Sequence, residues 1–326
     1  MTSGGTGKLV TVFGGSGFVG RHTVRALAKD GWRIRAASRR PDLAGHLQPM
    51  GGVGQIMPVQ ANLRYADSVA RAVEGADAVV CCVGILAPSG RQSFDALHAG
   101  GARAVAKAAR AAGVSRLVHV SAIGADARSP SRYARTKAEG EMAVLEECPS
   151  SIVVRPSIVF GPEDEFFNRF AAMAQIAPML PLIGGGRTKF QPVFVGDVAS
   201  SITRALSGAG KPGTVYELGG PEVASFRQLL DRTQEWSGRS RPYFPMPFWL
   251  AKLGAILSWP LPNSIRPLTY DQVRLLQLDN VVSEAAEQEG RTLAGLGVAH
   301  PQMMGAVVPL YLERFRPKGQ FSHYRG

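Results

Sequence analysis

Cysteine is nearly missing from this chain, with 3 in 326 residues, and the scarcity excludes two classes at once. Cys81, Cys82 and Cys148 form no metal-ligating spacing and leave an odd count, so neither a zinc module nor a disulfide framework is expected. Cys81 and Cys82 fall inside the apolar run 78–83, where a thiol packs as a small hydrophobe, and a reducing compartment follows. Long apolar runs are missing too. No stretch reaches the roughly 20 apolar residues that spanning a bilayer needs, and residues 1–8 hold no apolar segment of the signal-peptide kind, so no leader is expected. Acidic residues are scarce: 25 Asp and Glu against 37 Lys and Arg give a formal net charge of +12. No helix-turn-helix, zinc pattern or aromatic-basic interleaving accompanies the charge, which argues against nucleic acid. A lipid surface or an acidic protein suits it better. Hydrophobic residues make up 45% of the chain, enough for a full core.

Glycine, by contrast, is placed with purpose. Residues 13–20 read Phe-Gly-Gly-Ser-Gly-Phe-Val-Gly, directly after the apolar run 9–13 and before the helical pattern 21–29. Gly14 permits a sharp turn out of a strand, Gly17 lets the backbone approach a diphosphate, and Gly20 lets the helix pack on the sheet. The diphosphate then rests on unpaired N–H groups at the positive end of the helix.

Further strands are predicted over 34–38, 56–59, 78–83, 117–121 and 151–156, with alanine-rich helices over 67–74 and 94–112. That alternation is the signature of a doubly wound parallel sheet. Past Gly161 a helix is predicted over 166–177 and a loop over 180–192. A strand and helix follow over 193–207, and a last strand over 214–219. From Pro221 onward helices dominate. The expected architecture is α/β: a Rossmann-type domain over 1–219, with a lobe insertion near 163–190, and a smaller, mostly helical C-terminal lobe over 220–326. That lobe is expected over the carboxyl edge of the sheet.

The second strand ends Ala36-Ala37-Ser38-Arg39-Arg40. A carboxylate here would bind the 2′-hydroxyl of NAD; instead there are two guanidinium groups, which suit a 2′-phosphate, and NADPH is favoured. The alternative is a solvated turn. The full expected contact set runs along one sheet edge. It comprises Gly14, Ser16, Gly17, Phe18, Val19 and Gly20; then Ser38, Arg39 and Arg40; then Asn62 and Leu63 beside the adenine. Val83 and Gly84, Ser121, Tyr133, Lys137, Pro156 and Ile158 complete it. No metal site is expected.

Tyr133-Ala134-Arg135-Thr136-Lys137 puts a phenol and an ammonium one helical turn apart, where the cation lowers the phenol's pKa toward acid–base use. With the glycine turn, Arg155-Pro156 and Phe160-Gly161-Pro162, the chain resembles an extended or atypical short-chain dehydrogenase/reductase over its first two thirds. The resemblance implies that the tyrosine is the general acid/base and the lysine grips the nicotinamide ribose. It also implies a serine or threonine that polarises a carbonyl, and that position aligns with Ala122 or Ile123 rather than Ser121. His98 stands where such enzymes carry an asparagine. Tyr133 and Lys137 are catalytic if the site is active; as cofactor-holding groups they need no substrate.

Between Tyr243 and Pro262 lies an apolar segment, 248–259, bounded by prolines and carrying Trp249 and Trp259. It is too short to span a bilayer and suits either a buried position or a membrane interface. A helix is predicted around 270–278, and the tail carries Arg314, Arg316, Lys318 and Arg325 against Glu313. With these strings the chain resembles, over nearly its whole length, the NAD(P)H-binding accessory subunits of respiratory complex I. That resemblance implies a held NADPH, attachment to other complex I subunits near the junction of the two arms, and no activity of its own. It also implies a peripheral position, on the cytoplasmic face of a bacterial inner membrane or the matrix side of the mitochondrial one. An active reductase or epimerase on a carbonyl or sugar-nucleotide substrate is the alternative, and an NADP(H)-sensing regulator a second.

Overall fold

From Leu9 to Pro156 strands alternate with helical segments, because short apolar runs are followed by stretches that present one apolar stripe to the sheet. The computed structural model describes residues 7–258 and 269–317. Trp259, Pro262, Lys318 and Arg325 therefore lie outside the described residues. The elements in order are β1 (Leu9–Phe13), α1 (Phe18–Lys29), β2 (Arg33–Ser38), β3 (Ile56–Gln60), α2 (Ala66–Val73) and β4 (Ala78–Cys81). Next come α3 (Gly100–Ala111), β5 (Arg116–Val120), α4 (Arg132–Glu147) and β6 (Ile152–Pro156).

Two compact units are formed: Met1–Pro156 with Val195–Leu218 and Ser283–His300, and Ser157–Phe194 with Gly219–Val282 and Pro301–Gly326. A single boundary at 219 does not describe this path, since Ser283–His300 belongs with the sheet. In the first unit all seven strands are parallel, in the order β3, β2, β1, β4, β5, β6 and the strand Val215–Leu218. Val12 stands between Ala36 on one side and Val80 on the other, and every residue of β4 is buried. The order reverses between β1 and β4, and ligands in such sheets sit at the carboxyl ends beside that switch. The edge strand is covered by the returning segment. Glu217 donates its N–H to the Arg291 carbonyl at 2.9 Å, and Ser283 donates its N–H to Glu217 Oε2 at 2.8 Å, so the edge is not left open for pairing.

A buried ionic link ties three of these elements together. Arg155 on β6 donates through Nε and Nη2 to the two carboxylate oxygens of Glu141 on α4, at 2.9 and 2.6 Å. Its Nη1 lies 3.6 Å from Glu217 Oε1 on the edge strand. The bidentate geometry is the strong form of such a pair.

The second unit is organised by phenylalanine. Phe166 stacks edge-on against Phe167 and Phe170, both at 5.1 Å, and Phe226 lies 6.2 Å away. Helices Phe167–Ile176, Phe226–Trp236 and Met304–Leu312 enclose this core. The segment read as a loop over 180–192 contains the strand Leu180–Ile183, which pairs in parallel with Tyr243–Met246. Prolines and glycines masked both strands, and the pairing partner lies some sixty residues away. Tyr311 donates its hydroxyl to Asp164, a buried carboxylate that also accepts the N–H of Asn168. Burial holds the Asp164 carboxyl above the usual range. Two tail arginines are tethers within this unit: Arg314 Nη2 donates to Asn168 Oδ1 at 2.7 Å and Arg316 Nε to the Trp236 carbonyl at 3.1 Å.

Candidate functional site

The turn after β1 is shaped by steric limits that only glycine meets. Gly14 has φ of 76°, a conformation costly for residues with a Cβ, and its N–H donates to the Ala37 carbonyl at 3.0 Å. A Cβ on Gly20 would lie 2.0 Å from the Gly14 carbonyl oxygen, so helix and turn can touch only without one. Gly17 differs. Its φ of −74° and ψ of 176° suit any residue, and a Cβ there would meet only the Gly14 oxygen, at 3.2 Å. As the N-cap of α1 it offers no side-chain partner to the first-turn N–H groups, and that turn holds no acidic residue. The positive end of the helix is thus left open to an anion. Ser16 supplies its carbonyl to Arg21, Phe18 stacks edge-on against His22, and Val19 accepts from Thr23.

Next along the edge, β2 ends at Ser38, whose hydroxyl oxygen is buried with no hydrogen-bond partner. Buried polar atoms are rarely left so. Arg39 is exposed. Arg40 is engaged differently from the expectation: its Nε and Nη2 grip Asp42 at 3.0 and 2.7 Å, which draws the Asp42 carboxyl below its usual range. Beyond β3, Asn62 donates its N–H to Ser68 Oγ and accepts from the Arg64 N–H through Oδ1. Leu63 is buried against Gly101.

At the other end Gly84 follows Val83 past β4, and a Cβ on Gly84 would lie 3.3 Å from Lys137 Nζ and 3.9 Å from His98 Nε2. Ser131 caps α4 by accepting the Ala134 N–H, which sets Tyr133 in the first turn and Lys137 one turn on. Tyr133 stands edge-on to His98 at 5.3 Å. Lys137 is buried and donates to the Val120 carbonyl at 3.1 Å. His98 lies in a π-helical turn, Asp95–Ala99, an irregularity that often marks functional sites. Its Nε2 accepts the Ile85 N–H at 3.1 Å, so the proton is on Nδ1, facing Thr136 Oγ1 at 3.1 Å. Burial first, then Lys137, takes the His98 pKa down to about 3, which keeps the ring neutral.

Ser121 donates its N–H to the Val154 carbonyl at 2.7 Å, while its hydroxyl oxygen is buried without a partner. Pro156 accepts the Ile123 N–H at 3.0 Å. Ile158 belongs to the second unit and packs on its phenylalanine core. Thr136 and the Ile85 amide orient His98, and the Tyr-x-x-x-Lys spacing does not mark either of them. Strand alternation alone does not reveal that neither ring nitrogen of His119 finds a partner. Among the described residues no cluster could hold a metal ion. The open helix end, the glycine turn and the unpartnered Ser38 and Ser121 hydroxyls together fit a dinucleotide laid across the switch point.

A family model described as NAD(P)H-binding matches residues 14–147. The mitochondrial NADH dehydrogenase (ubiquinone) 1 alpha subcomplex subunit 9 of Arabidopsis thaliana is 37% identical over 296 residues, covering 86% of this chain and 72% of that one. The mitochondrial NADH-ubiquinone oxidoreductase 40 kDa subunit of Neurospora crassa is 27% identical over 321 residues, covering 97% and 82%. In fold, an NADPH-dependent quinone oxidoreductase from Escherichia coli, solved with NADPH, superposes with a TM-score of 0.71 at 22% identity, over 93% of this chain and 99% of that one.

Proposed function

The chain belongs to the family of the alpha subcomplex subunit 9 proteins of mitochondrial NADH dehydrogenase (ubiquinone), and from that membership we propose that it is an NADPH-holding accessory subunit of NADH:ubiquinone oxidoreductase. In this reading it stabilises the peripheral arm near its junction with the membrane arm and has no turnover of its own. It sits peripherally on the inner membrane, on the cytoplasmic side in a bacterium or the matrix side in a mitochondrion. The observation that carries the reading is the pairing of an intact dinucleotide cradle with Ala122 and Ile123 where a carbonyl-polarising hydroxyl would stand. Such a donor contributes about 3 kcal/mol to a transition state. A nicotinamide cofactor supplies hydride chemistry when bound; Tyr133, Lys137 and His98 here serve to seat its ribose and close the pocket corner.

Purification from native membranes in mild detergent tests the proposal. NADPH in near-equal ratio to the chain, within a large respiratory assembly, is the expected result. A free protein with rapidly exchanging nucleotide would return the argument to Tyr133 as an acid/base and to a search for a carbonyl substrate.

Arg39 is proposed as the reader of the 2′-phosphate, since Arg40 is occupied by Asp42. Arg39→Asp is expected to weaken NADPH at least tenfold while leaving NADH within twofold, a charge-assisted hydrogen bond being worth about 1.5–3 kcal/mol. Titration calorimetry with both nucleotides measures this, and equal losses would remove the assignment.

The membrane contact is proposed at helix Phe248–Leu257. Trp249, Leu253, Ile256 and Leu257 are 67, 45, 56 and 72% exposed, while Ala251 and Ala255 are buried. No described helix is long and apolar enough to cross a bilayer. An exposed stripe with tryptophan at its start suits the headgroup boundary of an anionic membrane. Replacing Trp249 and Leu257 by Ser is expected to lower partitioning onto phosphatidylserine vesicles by tenfold or more, each apolar side chain contributing about 1.5–3 kcal/mol. A variant that sediments with vesicles as well as the parent would place this face against protein.

A further inference from the structure

Lys137 stands at the end of the site where the nicotinamide half of a dinucleotide would lie. Burial lowers its pKa from the ordinary lysine value while Glu141 and the two thiols pull it back up, and among the described residues no carboxylate forms an ion pair with the ammonium. The side chain is 4% exposed, and Nζ donates to the Val120 carbonyl at 3.1 Å. Glu141, one turn farther along α4, is gripped on both oxygens by Arg155, and Asp95 is held at the surface by Arg132. The elements packed around Nζ add only groups that burial keeps neutral. Cys81 and Cys82 stand at the end of β4; burial pushes both thiols up, Cys82 to about 12. His98 comes from the π-helical turn and His119 from β5; burial, with Lys137 second, takes each down to about 3. Tyr133 completes the corner, edge-on to His98. Gly84 keeps the approach to the ammonium open, because a Cβ there would lie 3.3 Å from Nζ.

We propose that this buried ammonium makes the site selective for the reduced dinucleotide. The inference rests on the dinucleotide reading above. An oxidised nicotinamide ring carries a positive charge and the reduced ring carries none; the rest of the two molecules is identical. Bringing a second cation beside a buried first one costs Coulomb energy that surrounding water cannot screen, and the neutral ring avoids it. The expected discrimination is at least about tenfold, the value that two unit charges about 12 Å apart give at an effective dielectric near 20, and it grows as the ring comes closer. Tighter binding of the reduced form makes the bound couple less negative, by about 30 mV for each tenfold. A cofactor held this way stays reduced, which suits a structural group, since oxidation would loosen its own grip.

Calorimetric titration of the full chain, stripped of nucleotide, with NADPH and with NADP⁺ tests this. The parent is expected to bind NADPH about tenfold more tightly. Lys137→Met and Lys137→Gln, two neutral replacements of which the second keeps a donor for the Val120 carbonyl, are expected to bring the ratio near one. Lys137→Arg is expected to restore it. Equal affinities in the parent, or a ratio that survives both neutral variants, would overturn the electrostatic inference and leave dinucleotide binding intact. A parent that binds neither nucleotide would overturn the dinucleotide reading and this inference with it.

Discussion

Gly17→Val is expected to yield a folded protein that no longer retains its nucleotide. The backbone at Gly17 is already in an extended conformation open to any residue, with φ −74° and ψ 176°. A Cβ there meets one atom, the Gly14 oxygen at 3.2 Å, and that contact needs a shift of only a few tenths of an ångström. The isopropyl group instead fills the space in front of the unpaired N–H groups of α1, where a diphosphate must come within hydrogen-bond distance. Losing two charge-assisted bonds of about 1.5–3 kcal/mol each predicts at least a hundredfold weaker binding. The nucleotide-free variant should melt within about 2 °C of the nucleotide-free parent. Gly20→Ala is the control with the opposite outcome: its methyl would stand 2.0 Å from the Gly14 carbonyl oxygen, so the turn itself must break. A Gly17→Val protein that melts far below the parent without nucleotide would make this glycine structural and undo the cradle argument. Attachment of the variant to the respiratory assembly at parental level would remove the structural role proposed for the nucleotide.

Arg155→Met is expected to be the most destabilising single change away from the turn, at about 3–5 kcal/mol. The loss comes less from the missing attraction than from what stays behind. Glu141 and Glu217, 4% and 8% exposed, would keep their carboxylates in the interior with the guanidinium gone. The Ser283 N–H on Glu217 does not replace a full charge. Denaturant unfolding measures the effect, and a Glu141→Gln change in the same protein should return part of the loss by removing one stranded charge. A cost below about 1 kcal/mol would mean that water reaches the triad and that it behaves as a surface pair.

Where the candidate site's residues fall on strands and helices was legible because those rules are local. Gly14, Gly17 and Gly20 sit at fixed offsets between an apolar run and a helical pattern, and the structure places them at the end of β1 and the start of α1. Tyr133 and Lys137 fall one turn apart on α4 for the same reason. Arg40 shows the limit of such reading: a partner only two residues away, Asp42, takes up its guanidinium, and side-chain choice among near neighbours is not written in strand or helix period. His119 shows another limit. Alternation puts it inside the sheet, but only the packed surroundings reveal two ring nitrogens without partners.

The segment 180–192 failed for a different reason. Proline and glycine there argue against regular structure on local grounds, and they were outweighed by backbone pairing with Tyr243–Met246. Likewise, the run of tail arginines does not show that Arg314 and Arg316, while exposed, also donate to Asn168 and Trp236. The sequence by itself determined the alternating architecture, the glycine turn and the residue types along the cofactor edge, because these follow from sterics and periodicity within a dozen residues. Tertiary structure alone decided which charges are compensated. Arg155, Glu141 and Glu217 come from three separate segments, and among the described residues Lys137 has no ion-pair partner, since Glu141, one turn along the same helix, is held on both oxygens by Arg155.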